Sequence, residues 1–488
     1  MLFNTPDFII FFIVVLATIV IVKNRNFQHL FLLFASYFFF YYSSNYLISL
    51  LIFTTIWDYY FGKAIWKTNN IQQKKLLLVL SLAGNLGLLG FFKYADFAIT
   101  QFNILGQHFD LHTIPLLNLA LPIGISFYTF HSITYTVGIY RGILQPVRLR
   151  EYALFVAFFP QLVAGPIMRA HQFLPQLREK IENFQANGRL RQIILQNPNL
   201  KFGITLMAFG FLKKMFFADN ISPLVNDVFN YPIGSESFTI ILGTIAFGIQ
   251  IYCDFSGYTD IAIGAAKILG FNLPANFNKP YFATSPSDFW RRWHISLSSW
   301  LRDYLYIPLG GNRKSSSRTY FNLFTVMFLG GLWHGASWNF VIWGMLHGTY
   351  LAIHKAILDK FPNIKNNYFI KSKIGLVFSI LVTQYLVFLA WIAFRVSNYD
   401  YMIYSMKKYV FLDFHTVYTL QFISSHKIPI MLIIMFIILH FLSYKKINIQ
   451  EKIANLRLYY WGSILAFIAV VIIFFFNGKP EQFIYFKF

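Results

Sequence analysis

The chain is 488 residues long, 57% hydrophobic and only 12% charged, with a formal net charge of +22. So few charges, with apolar runs of membrane length from end to end, exclude an ordinary soluble domain and predict an all-α polytopic membrane protein; 58 phenylalanines fit poorly with the weak alternation of a membrane β-barrel. The positive charge sits in short clusters between apolar runs, where orientation signals belong, so no nucleic-acid partner is expected, and the single Cys253 excludes an internal disulfide and a cysteine metal cage.

Lysine and arginine clusters order the crossings. Phe8–Val22 has Asp7 ahead of it and no small-residue cleavage pattern, so it reads as a retained span and not as a signal peptide. It ends at Lys23 and Arg25, which places that turn in the cytoplasm and the N-terminus outside. Leu30–Tyr42, Leu47–Trp57, Leu76–Phe92 and Ile114–Tyr140 then alternate without conflict, basic turns falling inside and Asp96 and Asp110 outside. Tyr152–Gly165 breaks the alternation, because arginines flank it on both sides (Arg141, Arg148 and Arg150 before, Arg169, Arg178, Arg189 and Arg191 after). It would reach only ~21 Å against a ~30 Å core, so it is either a re-entrant segment beside a hollow interior or a helix on the cytoplasmic surface.

Residues 169–201 read as a polar cytoplasmic helical loop. Phe202–Phe217 leads out, Phe238–Tyr252 returns, and Tyr258–Phe271 is a further short apolar piece. Residues 276–318 are basic and rich in Trp and Tyr, as a cytoplasmic interface is. Trp338–His354, Ile374–Phe394, Met431–Leu442 and Tyr460–Phe476 complete a single membrane domain over 1–488, of roughly eleven to thirteen membrane segments, with both termini outside.

Two stretches carry chemistry. In GGLWHGASWNFVIWGMLHG (Gly330 to Gly348), the apolar run Phe321–Leu332 rises ~18 Å from the basic side before Trp333, His334 and Gly335. His334 is therefore expected inside the membrane slab, where a titratable ring is costly unless it has a task, and a neutral imidazole there can act as a general base. A satisfied core histidine is the bland alternative. Gly330, Gly331 and Gly335 are expected to let the backbone turn and let a ligand or another chain come close.

The second stretch is SPSDFWRRWHISLSSWLRDYLYIPLGG (Ser285 to Gly311). Ser287 or Asp288 is expected to cap a helix that carries Asp288, Trp290, Arg291, Arg292, Trp293 and His294 within two turns. Arginines there, with Arg302, can clamp phosphates or carboxylates and the indoles can bound a flat ligand. An ordinary interfacial helix, with arginines on lipid phosphates, has the same composition.

These two runs, together with YCDFSGYTDIAIG (Tyr252 to Gly264), LPIGISFYTFHSITYTVGIYRG (Leu121 to Gly142), FPQLVAGPI (Phe159 to Ile167) and the C-terminal FIYFKF, closely resemble the membrane-bound O-acyltransferases (MBOAT) over nearly the whole chain. The similarity is to the bacterial branch of alginate and peptidoglycan O-acetyltransferases. Transferases of D-alanine to teichoic acids rank second, because they lack the YIPLGGNR run at Tyr306–Arg313. The resemblance implies a ring of transmembrane helices with re-entrant segments around a central tunnel, walled in part by Tyr152–Gly165. It assigns the family's essential histidine to His334 and its second functional position to His294; by their own chemistry, Asp288, Trp290, Arg291, Arg292, Trp293, Arg302 and Trp333 are expected along the donor side or tunnel. It implies an acyl thioester donor (acetyl-CoA or an acyl carrier), a polysaccharide acceptor, a periplasmic acetyltransferase partner and a bacterial inner-membrane location; with no Gly-rich phosphate loop and no metal-ligand cluster in the sequence, no bound cofactor and no metal are expected. Two other classes share these features: a transporter of a polyanion or lipid-linked sugar, against which stands the absence of internal repeats, and a scaffold that recruits a secreted modifying enzyme.

Overall fold

The computed structural model describes residues 1–22, 24–162, 165–187, 197–445, 448–476 and 481–484. Among them no strand occurs, and the secondary structure is helical throughout. Five helical stretches are long and apolar enough to cross a membrane: Asn26–Lys67, Ile71–Gln107, Ser237–Ile268, Lys373–Arg395 and Lys427–Tyr444. Pro6–Ile21 and Leu458–Phe474 are shorter apolar helices. The chain is thus the all-α polytopic membrane protein that its composition predicts. It divides into two compact units, Met1–Ala208 with Tyr258–Pro274 and Phe209–Gly257 with Ala275–Phe488.

In the first unit, α1 (Pro6–Ile21) and α2 (Arg25–Ser44) pack through phenylalanines, with Phe11 meeting Phe39 at 5.6 Å and Phe159 at 5.2 Å. Helices α3 (Ile48–Lys67), α4 (Ile71–Gln107) and α5 (Ile125–Tyr140) follow. A buried carboxylate staples α3 to α4: Ser81 Oγ donates to Asp58 at 2.6 Å and Asn85 Nδ2 donates to both of its oxygens at 2.9 and 2.8 Å. Buried polar groups of this kind are tolerated only when their hydrogen bonds are made.

Two of the expected spans have different bounds. The helix expected to stop at Phe92 continues through Lys93 and Asp96 to Gln107, because nothing between them breaks a helix. The span expected from Ile114 begins at Ile125 instead, since Pro115 and Pro122 interrupt the segment before it.

The segment Tyr152–Gly165 is described as far as Leu162 and again at Gly165. Helix α6 (Leu149–Ala157) breaks at Phe158 (φ −51°, ψ 109°) and a single turn, α7 (Phe159–Leu162), follows. Every residue from Glu151 to Leu162 is buried, which rules out a helix on the surface. Its rings fill space in the protein: Tyr152 stacks on Tyr135 at 4.1 Å, and Phe158 meets Phe173 and Phe271 at 5.1 and 4.9 Å. Val163 and Ala164, like Lys23, Arg189, Arg191 and residues 485–488 of FIYFKF, lie outside the described residues. The polar loop expected over 169–201 contains α8 (Ala170–Asn187), and α9 (Asn197–Phe211) opens the following span.

The second unit holds α10 (Asp219–Phe229) and most of α11 (Ser237–Ile268), a continuous helix of 32 residues. Helix α11 joins the expected pieces Phe238–Tyr252 and Tyr258–Phe271 as far as Ile268, although Asp254, Ser256 and Gly257 lie between them. The helix tolerates them because Asp254 is ion-paired inside the protein (2.8 Å to Lys214) and Gly257 sits where a Cβ would lie 2.7 Å from the Gly210 carbonyl. The interface stretch 276–318 is not one helix. It holds two short ones, α12 (Pro286–Arg292) and α13 (Ile295–Leu301). Helices α14 (Ser316–His334), α15 (Trp338–Lys360), α16 (Lys373–Arg395), α17 (Tyr399–Val410), α18 (Val417–Ser425), α19 (Lys427–Tyr444) and α20 (Leu458–Phe474) complete the unit.

Candidate active site

His334 is the last residue of α14. The helix is capped at its start by Ser315, whose Oγ accepts from Arg318 N–H, and its polar first turns precede the apolar run at Phe321. Gly335 follows in extended backbone (φ −166°) and Ser337 leads into α15. The glycines act differently from expectation. None of Gly330, Gly331 and Gly335 has a positive φ, so the turn does not require glycine's conformational freedom. Gly331 and Gly335 are needed for close packing by the chain's own α15: a Cβ on Gly331 would lie 2.3 Å from the Phe340 carbonyl, and one on Gly335 would lie 2.3 Å from the Phe340 ring. Gly344 is the reciprocal contact on α15, where a Cβ would lie 2.5 Å from the Met327 carbonyl. Small residues that let two backbones touch are what join helices in lipid, where Leu against Leu gains little over lipid.

That packing fixes the imidazole. His334 is 6% exposed and lies in a box of edge-on rings: Trp333 and Trp343 at 4.9 Å each and Phe394, from α16, at 5.2 Å. Trp333 faces a second histidine on its other side, since its ring is 6.2 Å from that of His294. The two histidines singled out from sequence, forty residues apart, thus meet the same indole.

His294 is fully buried and takes a left-handed backbone (φ 44°, ψ 53°) at the joint between α12 and α13. Asn276 holds that joint. Its carbonyl accepts from Ile295 N–H at 2.9 Å, and its Oδ1 accepts from Ser296 N–H at 3.2 Å and Ser296 Oγ at 2.6 Å. No other residue among those described gives the ring nitrogens of His294 a hydrogen bond. Phe255, on α11, meets the ring edge-on at 4.7 Å.

The remaining predicted residues divide into three groups. Helix α12 is capped by Ser285 rather than by Ser287 or Asp288: Ser285 Oγ accepts from Asp288 N–H at 3.2 Å, and Pro286 takes the first helical position, where its missing N–H costs nothing. Asp288 accepts from Thr284 N–H and pairs with Arg292 at 2.9 Å. Arg302 likewise pairs with its neighbour Asp303 at 2.7 Å. These two arginines are therefore already engaged, while Arg291 is exposed and makes no ion pair among the described residues. The tryptophans are core, not the walls of an open slot: Trp293 meets Trp391 at 4.9 Å and stacks on Phe289 at 5.7 Å, and Trp290 meets Trp343 at 5.7 Å.

One residue of this cluster was missed. His347 is 1% exposed, one helical turn after Trp343 on α15, with its ring 4.9 Å from Trp343 and 5.1 Å from Trp290. The i, i+4 spacing of Trp343 and His347 within a motif already singled out was the available signal. Among the described residues no three His, Cys, Asp or Glu side chains group as a metal site requires. What the arrangement offers is a histidine pair bridged by an indole and shielded from bulk water, a setting in which proton transfer and hydrogen bonds to developing charge are strengthened.

The chain is similar to known proteins. Over 358 residues the chain is 39% identical to the "Probable alginate O-acetylase AlgI" of Azotobacter vinelandii, covering 72% of this chain and 66% of that protein. It is 36% identical over 393 residues to the "Peptidoglycan O-acetyltransferase" of Helicobacter pylori, covering 75% and 70%. The "Teichoic acid D-alanyltransferase" of Bacillus subtilis is 31% identical over 252 residues, 49% of this chain and 60% of that protein. The chain matches about two thirds of the length of its alginate relatives. Residues 54–392 match the membrane-bound O-acyltransferase family, a stretch that takes in both histidines and their aromatic box apart from Phe394, and the chain belongs to that family.

Proposed function

We propose that this protein transfers an acetyl group from a cytosolic thioester to a hydroxyl of an extracytoplasmic polysaccharide, an alginate-like exopolymer or peptidoglycan. The observation that carries the reading is the convergence of His334 and His294 on Trp333 in a buried aromatic box. The names of its relatives, alginate and peptidoglycan acetyltransferases, supply the acyl group and the acceptor class. The acceptor oxygen attacks the thioester carbonyl carbon while His334 takes the hydroxyl proton. The C–S bond then breaks, and the proton passes to the departing thiolate. Donation of an N–H by His294 to the carbonyl oxygen stabilises the charge that builds there.

The donor is acetyl-CoA or an acylated carrier, approaching the basic face through Arg291. The attacking hydroxyl is that of the polymer itself or of a periplasmic acetyltransferase partner that relays the group to it. The protein sits in the bacterial inner membrane with both termini outside, as a single O-acyltransferase domain, in support of which the family match runs through residues 54–392. A D-alanyl donor ranks second, because the teichoic-acid relative matches only about half of the chain.

The test is His334→Ala in a strain whose polymer acetylation depends on this protein. Loss of a general base typically lowers the rate ~10²–10⁴-fold, so polymer acetyl content is expected to vanish while the protein accumulates in the membrane. A near-normal acetyl content would overturn the assignment. Polymer export without acetylation by the wild type would favour a transporter, and full acetylation by His334→Ala a scaffold.

A further inference from the structure

Lys214 is 1% exposed. It lies in a π-helical segment, Leu212–Ala218, the kind of distortion found disproportionately at functional sites. Its Nζ is 2.7 Å from Asp219 Oδ1 and 2.8 Å from Asp254 Oδ1. Desolvating such a group of charges costs several kcal/mol per ion, so net stability alone is weak grounds for keeping it, and fixing one geometry is the better attested use.

The geometry it fixes leads to His294. Lys214 Nζ donates to the Gln482 carbonyl at 3.5 Å and Asp254 Oδ2 accepts from Ile484 N–H at 2.7 Å. Between these two anchors Phe483 is fully buried against Phe255, ring centroids 5.8 Å apart. Phe255 is the residue after Asp254 and meets the His294 ring at 4.7 Å. Because no other described residue hydrogen-bonds that imidazole, its orientation depends on the rings against it, Phe255 on one side and Trp333 on the other.

We infer that Lys214 and Asp254 are positioning residues for His294: their ion pair anchors residues 482–484, Phe483 braces Phe255, and Phe255 holds the imidazole toward Trp333. The functional consequence rests on the acyl-transfer reading given above, whereas the mechanical consequence does not, and the two are measured separately. The full-length protein in detergent, wild type, Asp254→Asn and Phe483→Ala, is treated with diethyl pyrocarbonate and the rate of modification of each histidine is followed by mass spectrometry. His294 is expected to react roughly 5- to 30-fold faster in both variants, the change that 1–2 kcal/mol of local stability gives, with His131 and His347, equally buried, at their wild-type rates. A rate at His294 that stays unchanged, or that rises no more than those at His131 and His347, overturns the inference. Should Asp254→Asn not accumulate, Phe483→Ala decides alone, since it leaves both ion pairs in place. In the activity assay Phe483→Ala lowers transfer in the wild-type background and adds no further loss to His294→Ala, the non-additivity of residues acting through one group; additive losses overturn the positioning role. Full transfer by His294→Ala together with selective labelling would instead refute the active-site reading and leave the brace standing.

Discussion

His294 occupies a backbone conformation that side-chain-bearing residues seldom adopt, and Asn276 is what makes it tenable. One asparagine ties the first two residues of α13 through its backbone carbonyl and its side-chain oxygen together, so the joint carrying the histidine cannot straighten without losing three hydrogen bonds. Asn276→Ala removes the two made by Oδ1 and leaves Ser296 N–H and Oγ to find other partners in a buried place. The cost expected is about 1–3 kcal/mol, the penalty for orphaning a buried polar group. Thermal unfolding in detergent reads it, and Asn276→Asp, which keeps an acceptor at the same point, should recover most of the loss. The histidines themselves were legible in the sequence, because a titratable ring amid apolar residues is conspicuous. Asn276 was not, since an asparagine in a polar loop says nothing until the fold brings Ser296 to it. The aromatic box shows the same limit: Trp333 and Trp343 stood in the quoted motif, whereas Phe394 comes from another helix and is one phenylalanine among 58.

At the scale of elements, hydropathy identified most helices and misjudged those whose apolar pattern is broken for a reason. Helix α11 was divided at Asp254, a charge that becomes acceptable only when Lys214 is placed beside it, and no property of either segment alone predicts that partner. For Tyr152–Gly165 hydropathy left two readings open, and the burial of residues 152–162 stands against the one that puts a helix on the surface. The α14–α15 pair offers a clean test of how the site is held. Gly331 and Gly330 are adjacent, yet a Cβ on Gly331 would lie 2.3 Å from the Phe340 carbonyl and 3.0 Å from Gly344 Cα, while a Cβ on Gly330 meets only Leu301 Cδ1 at 3.5 Å. Gly331→Ala must therefore push the helices apart and move His334 relative to Trp343 and Phe394. Gly330→Ala replaces a helical glycine by alanine with room to spare, a change worth up to ~1 kcal/mol in favour of the helix. The expected outcome is normal accumulation and acetylation for Gly330→Ala and loss of both for Gly331→Ala. Equal behaviour of the two variants would mean that the backbone contact does not position the site.

For the whole molecule, joining α11 into one helix repairs a conflict in the order of crossings. If residues 238–252 and 258–271 crossed separately, the basic stretch around Lys314 would return to the side of Ile233, against the tendency of lysine and arginine to stay in the cytoplasm. A single helix of 32 residues, ~48 Å long at 1.5 Å per residue, crosses once with length to spare and ends beyond Lys267 on the basic side. On the proposed order of crossings α14 would rise from Ser316 on the cytoplasmic side and set His334, thirteen residues beyond Phe321, ~20 Å into a ~30 Å core. Under the proposed function, a cytosolic acyl arm would then span most of that depth and the acceptor the rest. Cysteine labelling tests this order directly, because the chain's one cysteine, Cys253, is buried and gives little background. Ile233 and Lys314 are both exposed. With a membrane-impermeant maleimide on intact cells, Ile233→Cys should react at once, while Lys314→Cys should react only after the membrane is opened. Reaction of both from outside would place the two positions on one face, return α11 to two crossings, and put His334 at the end of a helix that enters from the acceptor side.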